Sequence, residues 1–166
     1  MKVVTVTGIP GTGKTTLSKK LAKKLEYIYL DVNKIISKYK LSDGYDKKRK
    51  TKIIDTDKLN KKLILEIKNI KKNKKCSGII IDSHLSHYLP KKYADFCVVA
   101  KCGINELNRR LKKKRFSKNK IEENLQAEIF DICYNEANER KHKIIVIDTT
   151  KGFNIGLVYQ KIKSKI

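Results

Sequence analysis

Acidic residues are scarce in this chain of 166 residues. Only 17 Asp plus Glu stand against 40 Lys plus Arg, a formal charge of +23. So basic a surface favours polyanionic partners: nucleotides, RNA or an anionic surface. Arginine is scarce within that excess, with only Arg49, Arg109, Arg110, Arg115 and Arg140, so 35 of the basic residues are Lys. Planar phosphate or base readout prefers Arg. A Lys bias is equally what codon composition or adaptation to high temperature produces. Aromatic residues make up 7% of the chain, and no aromatic-rich RNA-recognition signature is present. The four cysteines (Cys76, Cys97, Cys102 and Cys133) include no Cys-x-x-Cys pair, which argues against a zinc ribbon or a redox motif. Cys97, Cys102 and Cys133 sit in apolar or mixed stretches and read as reduced core thiols. No apolar run approaches the roughly 20 residues that span a bilayer. Met1 leads into a short apolar run and Gly8 rather than a secretory leader. The expected setting is a reducing cytoplasm with no membrane.

The two prolines, Pro10 and Pro90, both fall in loop positions, and no linker or internal repeat interrupts the chain. A single domain over residues 1–166 is expected. A chain of this length buries about 70% of its unfolded surface and needs no disulfide or metal staple.

Short apolar runs alternate with helical patterns from end to end. Val3 to Thr7, Tyr27 to Asp31, Gly78 to Asp82, Phe96 to Lys101 and Lys143 to Asp148 read as strands. The third is apolar throughout and therefore central. Leu17, Leu21 and Leu25 mark a helix face, as do Leu59, Leu63, Ile67 and Ile70, with the solvated run Lys71 to Lys75 closing the second. Val32 to Tyr39 and Ile104 to Lys114 are helical, and Leu41 to Asp46 carries turn residues. Ser117 is an N-cap for a helix running to about Arg140. Asn154 opens a last helix with Ile155, Val158, Ile162 and Ile166 in register. This alternation predicts an α/β fold: a parallel sheet with helices on both faces.

Residues 8–15 read Gly-Ile-Pro-Gly-Thr-Gly-Lys-Thr, which satisfies G-x-x-x-x-G-K-[ST] between an apolar strand and an amphipathic helix. The glycines let backbone N–H groups turn inward as an anion nest, and the helix N-terminus adds its dipole. Lys14 reaches β- and γ-phosphates, the Thr15 hydroxyl suits Mg²⁺, and Thr16 lies near the α-phosphate. The pattern points to nucleoside triphosphate binding and is silent on what is done with the phosphate.

Such a site needs an acid on a neighbouring strand end to hold the Mg²⁺ water shell. Asp82, ending the most apolar strand, stands in that place. His84 follows at the carboxyl edge. It reads either as a group that orients or deprotonates a water or touches the γ-phosphate, or as a loop histidine bonded to backbone only. His84 and His87 lack the further ligands a zinc site needs. Asp148 also ends a strand in a less favourable neighbourhood, and Asp31 and Asp55 read as caps or loop acids. Arg109, Arg110, Lys112, Lys113, Lys114 and Arg115 cluster between two helices, followed by Lys118 and Lys120. Lys114 and Arg115, nearest the turn, are the candidates to close over a transferring phosphoryl group.

Several segments together resemble the adenylate kinase isoenzyme 6 family, a small archaeal and eukaryotic group of P-loop enzymes. They are Gly8 to Thr16, Asp43-Gly-Tyr-Asp46 and Gly78-Ile-Ile-Ile-Asp-Ser-His84. Arg110-Leu-Lys-Lys-Lys-Arg-Phe-Ser117 and Asn124-Leu-Gln-Ala-Glu-Ile-Phe130 extend the likeness over nearly the whole chain. Asn124, Glu128 and Ile129 stand in the family's places. The Asp-x-His pair separates this group from other nucleoside monophosphate kinases.

The resemblance implies a five-stranded parallel P-loop core of order 2-3-1-4-5, a monophosphate-binding region at about 31–54 and a lid at about 113–123. It assigns ATP binding to Gly11, Gly13, Lys14, Thr15 and Thr16, the Walker B role to Asp82 and support of ATP hydrolysis to His84. The family's lid arginine falls on Lys114, and its following glycine falls on Arg115. The implied activity is Mg²⁺-dependent, reversible phosphoryl transfer between ATP and a nucleoside monophosphate, with a slower ATPase. A transient small-subunit ribosomal protein partner and a role in small-subunit and rRNA maturation come with it. An ATP-switched assembly factor, in which kinase turnover is incidental, is the alternative.

Overall fold

The computed structural model describes residues 1–47, 51–72 and 76–165. Arg49, Lys74, Lys75 and Ile166 lie outside them. The first half comprises β1 (Lys2–Thr7), α1 (Lys14–Leu25), β2 (Ile28–Asp31), α2 (Val32–Lys38), β3 (Ser42–Asp46), β4 (Thr51–Ile54) and α3 (Thr56–Lys72). The second comprises β5 (Gly78–Asp82), β6 (Phe96–Lys101), α4 (Ile104–Lys113), α5 (Lys118–Ile129), α6 (Ile132–Glu139), β7 (Ile144–Asp148) and α7 (Ile155–Lys163).

Five strands form one parallel sheet in the order β2-β5-β1-β6-β7. In chain order of those five strands this is the expected 2-3-1-4-5. Successive strand residues point to opposite faces, and both faces are apolar. Val4, Val6, Ile80, Val98, Ile145 and Ile147 pack against Leu17 and Leu21 of α1 and Val158 and Ile162 of α7. Val3, Ile79 and Ile81 pack on the other face against Val32 and Ile35 of α2 and Leu59, Leu63 and Ile67 of α3. Cys97 and Val99 meet Cys133 and Ala137 of α6. Cys97, Cys102 and Cys133 are free and buried, and burial pushes the thiols of Cys97 and Cys133 up to about 12 and about 11.

Two expectations need correction. The turn residues of Leu41 to Asp46 sit in a β-hairpin, where β3 pairs antiparallel with β4. Its pairing and the Asp43 to Lys58 ion pair at 2.8 Å override the local turn preference of Ser, Asp and Gly. The helix expected from Ser117 to about Arg140 is two helices. Asp131 adopts a left-handed backbone (φ 53°) and breaks the run between α5 and α6. Asp131 also pairs with Lys101 at the end of β6. The caps hold as expected: Ser117 accepts from Lys120 N, and Asn154 accepts from Gly156 N and Leu157 N.

Candidate active site

The carboxyl edge of the sheet collects the sequence motifs. The loop from Gly8 to Gly13 joins β1 to α1, and two of its glycines are required by geometry. Gly8 (φ +143°) passes so close to β6 that a Cβ would lie 2.5 Å from the Ala100 carbonyl oxygen. Gly13 (φ +82°) is the left-handed N-cap of α1. The loop is tied down by Thr12, which bonds the Ile9 carbonyl through both its amide and its hydroxyl, and by the Thr149 hydroxyl, which donates to Thr12 O at 2.5 Å. The first-turn N–H groups of α1 therefore open onto a cleft of about 880 Å³. Its walls include Gly11, Gly13, Lys14, Thr15, Thr16 and Lys114, so the structure gathers these predicted residues around one space. Arg115 does not line that cleft. It takes a left-handed turn (φ 57°) at the end of α4.

Asp82 is 4% exposed at the end of β5. Its Oδ2 accepts from the Tyr29 hydroxyl at 2.8 Å, and burial followed by this bond raises the Tyr29 phenol. Its Oδ1 is buried and has no hydrogen-bond partner. Burial lowers the Lys14 ammonium, with Asp82 opposing and Lys114 assisting that shift. An orphaned carboxylate oxygen beside a phosphate loop, with Thr15 on the same cleft, fits the oxygen donor set of Mg²⁺.

His84 stands on the loop after Asp82, where two smaller cavities open to solvent. Desolvation by its neighbours, then the charge of Lys14, His87 and Lys120, lowers the imidazole to about 4. It is therefore neutral at physiological pH and able to accept a hydrogen bond or a proton. Among the described residues its ring makes no hydrogen bond. Two smaller cavities meet at His84. One of about 510 Å³ is lined by Asn33, Ser37, Tyr45, Thr51 and Lys52 from α2 and the hairpin. The other, of about 410 Å³, reaches Pro10, Phe116 and Lys120. These two cavities are separate from the phosphate-loop cleft, and His84 lines both of them.

The sequence reading missed three contributors. Tyr29 orients Asp82. The loop Thr149 to Phe153 forms a wall of the main cleft, with the Lys20 ammonium 5.4 Å from the Phe153 ring centre. Arg110, read only as part of a basic cluster, braces that loop: its Nη2 donates to Thr149 O at 2.8 Å and Thr150 O at 3.1 Å, and its Nε to Glu106 at 2.7 Å. A loop after the last parallel strand lies on the ligand-binding edge by topology, which was the available signal. Asp148 closes a turn by accepting from Thr150, and Asp31 and Asp55 cap the starts of α2 and α3.

The helix segment from Asn124 has a structural explanation. Glu128 is buried and accepts from Cys102 N at 2.8 Å, tying α5 to the end of β6. Asn124 bonds the Lys120 carbonyl, and Ile129 is exposed.

A family model described as an AAA domain matches residues 4–131. A Methanocaldococcus jannaschii protein named "putative adenylate kinase" is 38% identical over 147 residues, covering 89% of this chain and 76% of its own length. The adenylate kinase isoenzyme 6 homolog of Caenorhabditis elegans is 33% identical over 143 residues, covering 86% of this chain and 76% of that one. Among solved structures, a shikimate kinase from Acinetobacter baumannii bound to shikimate matches at a TM-score of 0.61 with 16% identity, over 99% of this chain and 92% of its own. A deoxyadenosine kinase from M. mycoides with bound dATP matches at 0.56 with 17% identity, over 99% and 98%. At these identities the two structures speak for the fold.

Proposed function

The chain belongs to the adenylate kinase isoenzyme 6 family, and from that premise we propose that it is a Mg²⁺-dependent nucleoside monophosphate kinase. It catalyses ATP + AMP ⇌ 2 ADP with broad acceptor specificity, and it hydrolyses ATP slowly. The observation that carries this reading is the phosphate-loop cleft walled by Gly11, Gly13, Lys14, Thr15, Thr16 and Lys114, with a partnerless Asp82 Oδ1 at the end of the neighbouring strand β5 and a separate cavity that His84 shares with α2 and the β3–β4 hairpin.

The main cleft takes ATP, with its phosphates on the backbone of Gly11 and Gly13 and beside Lys14, Thr15 and Thr16. The wall of Thr149 to Phe153 receives the base. The region about 31–54 holds the monophosphate, and the segment about 113–123 closes over the phosphates with Lys114. Asp82 and Thr15 hold Mg²⁺, directly or through water. When bound, Mg²⁺ neutralises charge on the β- and γ-phosphates.

In the transfer step an oxygen of the acceptor phosphate bonds to the γ-phosphorus as the bond from γ-phosphorus to the bridging oxygen breaks, and that oxygen leaves on ADP. Lys14 and Lys114 offset the charge spread over the transferred group. In the absence of an acceptor, neutral His84 orients a water or takes its proton, which yields the ATPase. The catalytic residues in this reading are Lys14, Asp82 and His84.

The same histidine supports a second role. An ATPase that runs without an acceptor, on a chain of charge +23, suits an ATP-switched factor in small-subunit and rRNA maturation, with a transient ribosomal protein partner. Its place is the cytoplasm, in keeping with three buried free thiols. Among the described residues no helix is long and apolar enough to cross a membrane.

A coupled assay with ATP and AMP, CMP, GMP, UMP or no acceptor tests the reading. Diphosphate formed from at least one monophosphate, and lost in Lys14→Ala, is the expected result. ATP hydrolysis at one rate with and without every monophosphate, with no diphosphate made from them, overturns the kinase assignment.

A further inference from the structure

His87, three residues beyond His84, is 1% exposed, and both of its ring nitrogens are bonded. Nε2 meets Glu136 Oε2 of α6 at 2.8 Å, and Nδ1 meets the Thr7 hydroxyl of β1 at 2.7 Å. A carboxylate can only accept, so Nε2 donates to Glu136, and the Thr7 hydroxyl, which also lies 3.3 Å from the His84 carbonyl oxygen, is the partner of Nδ1. Burial lowers the His87 imidazole, with Glu136 opposing that shift and Arg140 and His142 adding to it. The other Glu136 oxygen accepts from the Tyr88 hydroxyl at 2.9 Å, and the Arg140 guanidinium covers the Tyr88 ring at 4.2 Å. His142 bonds the His87 carbonyl at 2.9 Å.

We infer that Glu136 and His87 are positioning residues for His84, acting by clamping its loop to β1 and α6. The inference deepens the proposed function, because it rests on the role given there to His84. The ring of His84 has no hydrogen bond of its own among the described residues, so its direction is inherited from the loop backbone. That backbone is held at Ser83 N and the Ser86 hydroxyl by Val6 O of β1, and at His87 by the Glu136–His87–Thr7 chain. Thr7 immediately precedes Gly8, so one chain of bonds joins the start of the phosphate loop to the His84 loop.

Glu136→Met and Glu136→Gln are the decisive pair. Met removes both acceptors, whereas Gln keeps a carbonyl for His87 Nε2–H and turns its amide toward the Tyr88 hydroxyl, which accepts as well as donates. The expected result for Glu136→Met is a melting temperature unchanged to within a few degrees, an unchanged KM for ATP and a kcat for ATP hydrolysis lowered about tenfold, the scale on which orienting partners of functional histidines act. Glu136→Gln should keep most of the rate. In a His84→Ala background, Glu136→Met should change kcat less than about twofold, since both act through one group.

Equal losses in both backgrounds, a loss carried by KM, or as large a loss in Glu136→Gln as in Glu136→Met overturns the positioning role and leaves the reading of His84 standing. A wild-type rate in His84→Ala overturns the reading of His84, and the inference with it.

Discussion

The Tyr29 hydroxyl donates to Asp82 Oδ2 at 2.8 Å while Oδ1 of the same carboxylate is buried without a partner. The pair divides one carboxylate between two tasks. One oxygen is fixed from β2, and the other is left without a partner at the end of β5. Hydrogen bonds to charged acceptors contribute about 1.5–3 kcal/mol, enough to hold the group against rotation.

Tyr29→Phe should therefore raise the Mg²⁺ concentration needed for half-maximal rate about three- to tenfold, on the scale of one lost bond to a charged group, with less change in rate at saturation. Asp82→Asn should lose more than about a hundredfold at every Mg²⁺ concentration, because the anionic donor itself is gone. A Mg²⁺ titration of both variants decides the matter. Unchanged Mg²⁺ dependence in Tyr29→Phe would remove its orienting role.

Arg110 gives a prediction of a different kind. Its fork holds Thr149 O and Thr150 O, which form the wall assigned to the base. Lysine keeps the charge and loses the fork. Arg110→Lys should raise the KM for ATP about tenfold, on the order of one charge-assisted hydrogen bond, with kcat within a factor of about three. A shift carried by kcat alone would place Arg110 at the phosphates instead.

Stability should fall as the solution is acidified through the histidine range. His84 (to about 4), His87 and His142 all have lowered values in the folded chain, chiefly from burial. Between the folded and unfolded values the unfolded chain binds more protons, so stability is present above about 6.5 and is lost as pH falls below it. Glu128, raised by burial, works in the opposite sense. Glu106, held down to about 2 by Arg109 and Arg110, acts only at lower pH. Thermal melts at pH 7.5 and 5.5 test this, and a melting temperature that does not drop at pH 5.5 would contradict it.

The core strands and the phosphate loop were legible because each is a local pattern: β-branched runs such as Val3 to Thr7, and glycines at fixed offsets before Lys14. Asp82 was legible as the polar end of an apolar strand. The hairpin was not, because its strands are short and half-exposed and are held by a non-local ion pair between Asp43 and Lys58. The helix break at Asp131 was hidden for a similar reason: no glycine or proline marks it, and a pairing with Lys101 stands there instead. Tyr29, Arg110 and Glu136 each act on a partner 39 to 53 positions away, and no spacing rule reaches that far.

Lys114 and Arg115 were interchangeable lid candidates in the sequence, and the backbone separates them. Helix α4 ends in a Schellman motif: Phe116 N bonds Leu111 O, Arg115 N bonds Lys112 O, and Arg115 is left-handed between them. This position favours glycine, since a side chain there costs roughly 1 kcal/mol. The glycine that the family resemblance implies at Arg115 thus has a backbone reason, and Lys114, which lines the cleft, is the cation of the proposed lid. Arg115→Gly should keep activity within about twofold and raise stability by about 0.5–1 kcal/mol, the scale of relief at a left-handed cap. Lys114→Ala should lower kcat about ten- to a hundredfold, as removal of a transition-state cation does. Chemical denaturation and the coupled assay on the two variants read both effects. A large rate loss in Arg115→Gly with little in Lys114→Ala would reverse the assignment.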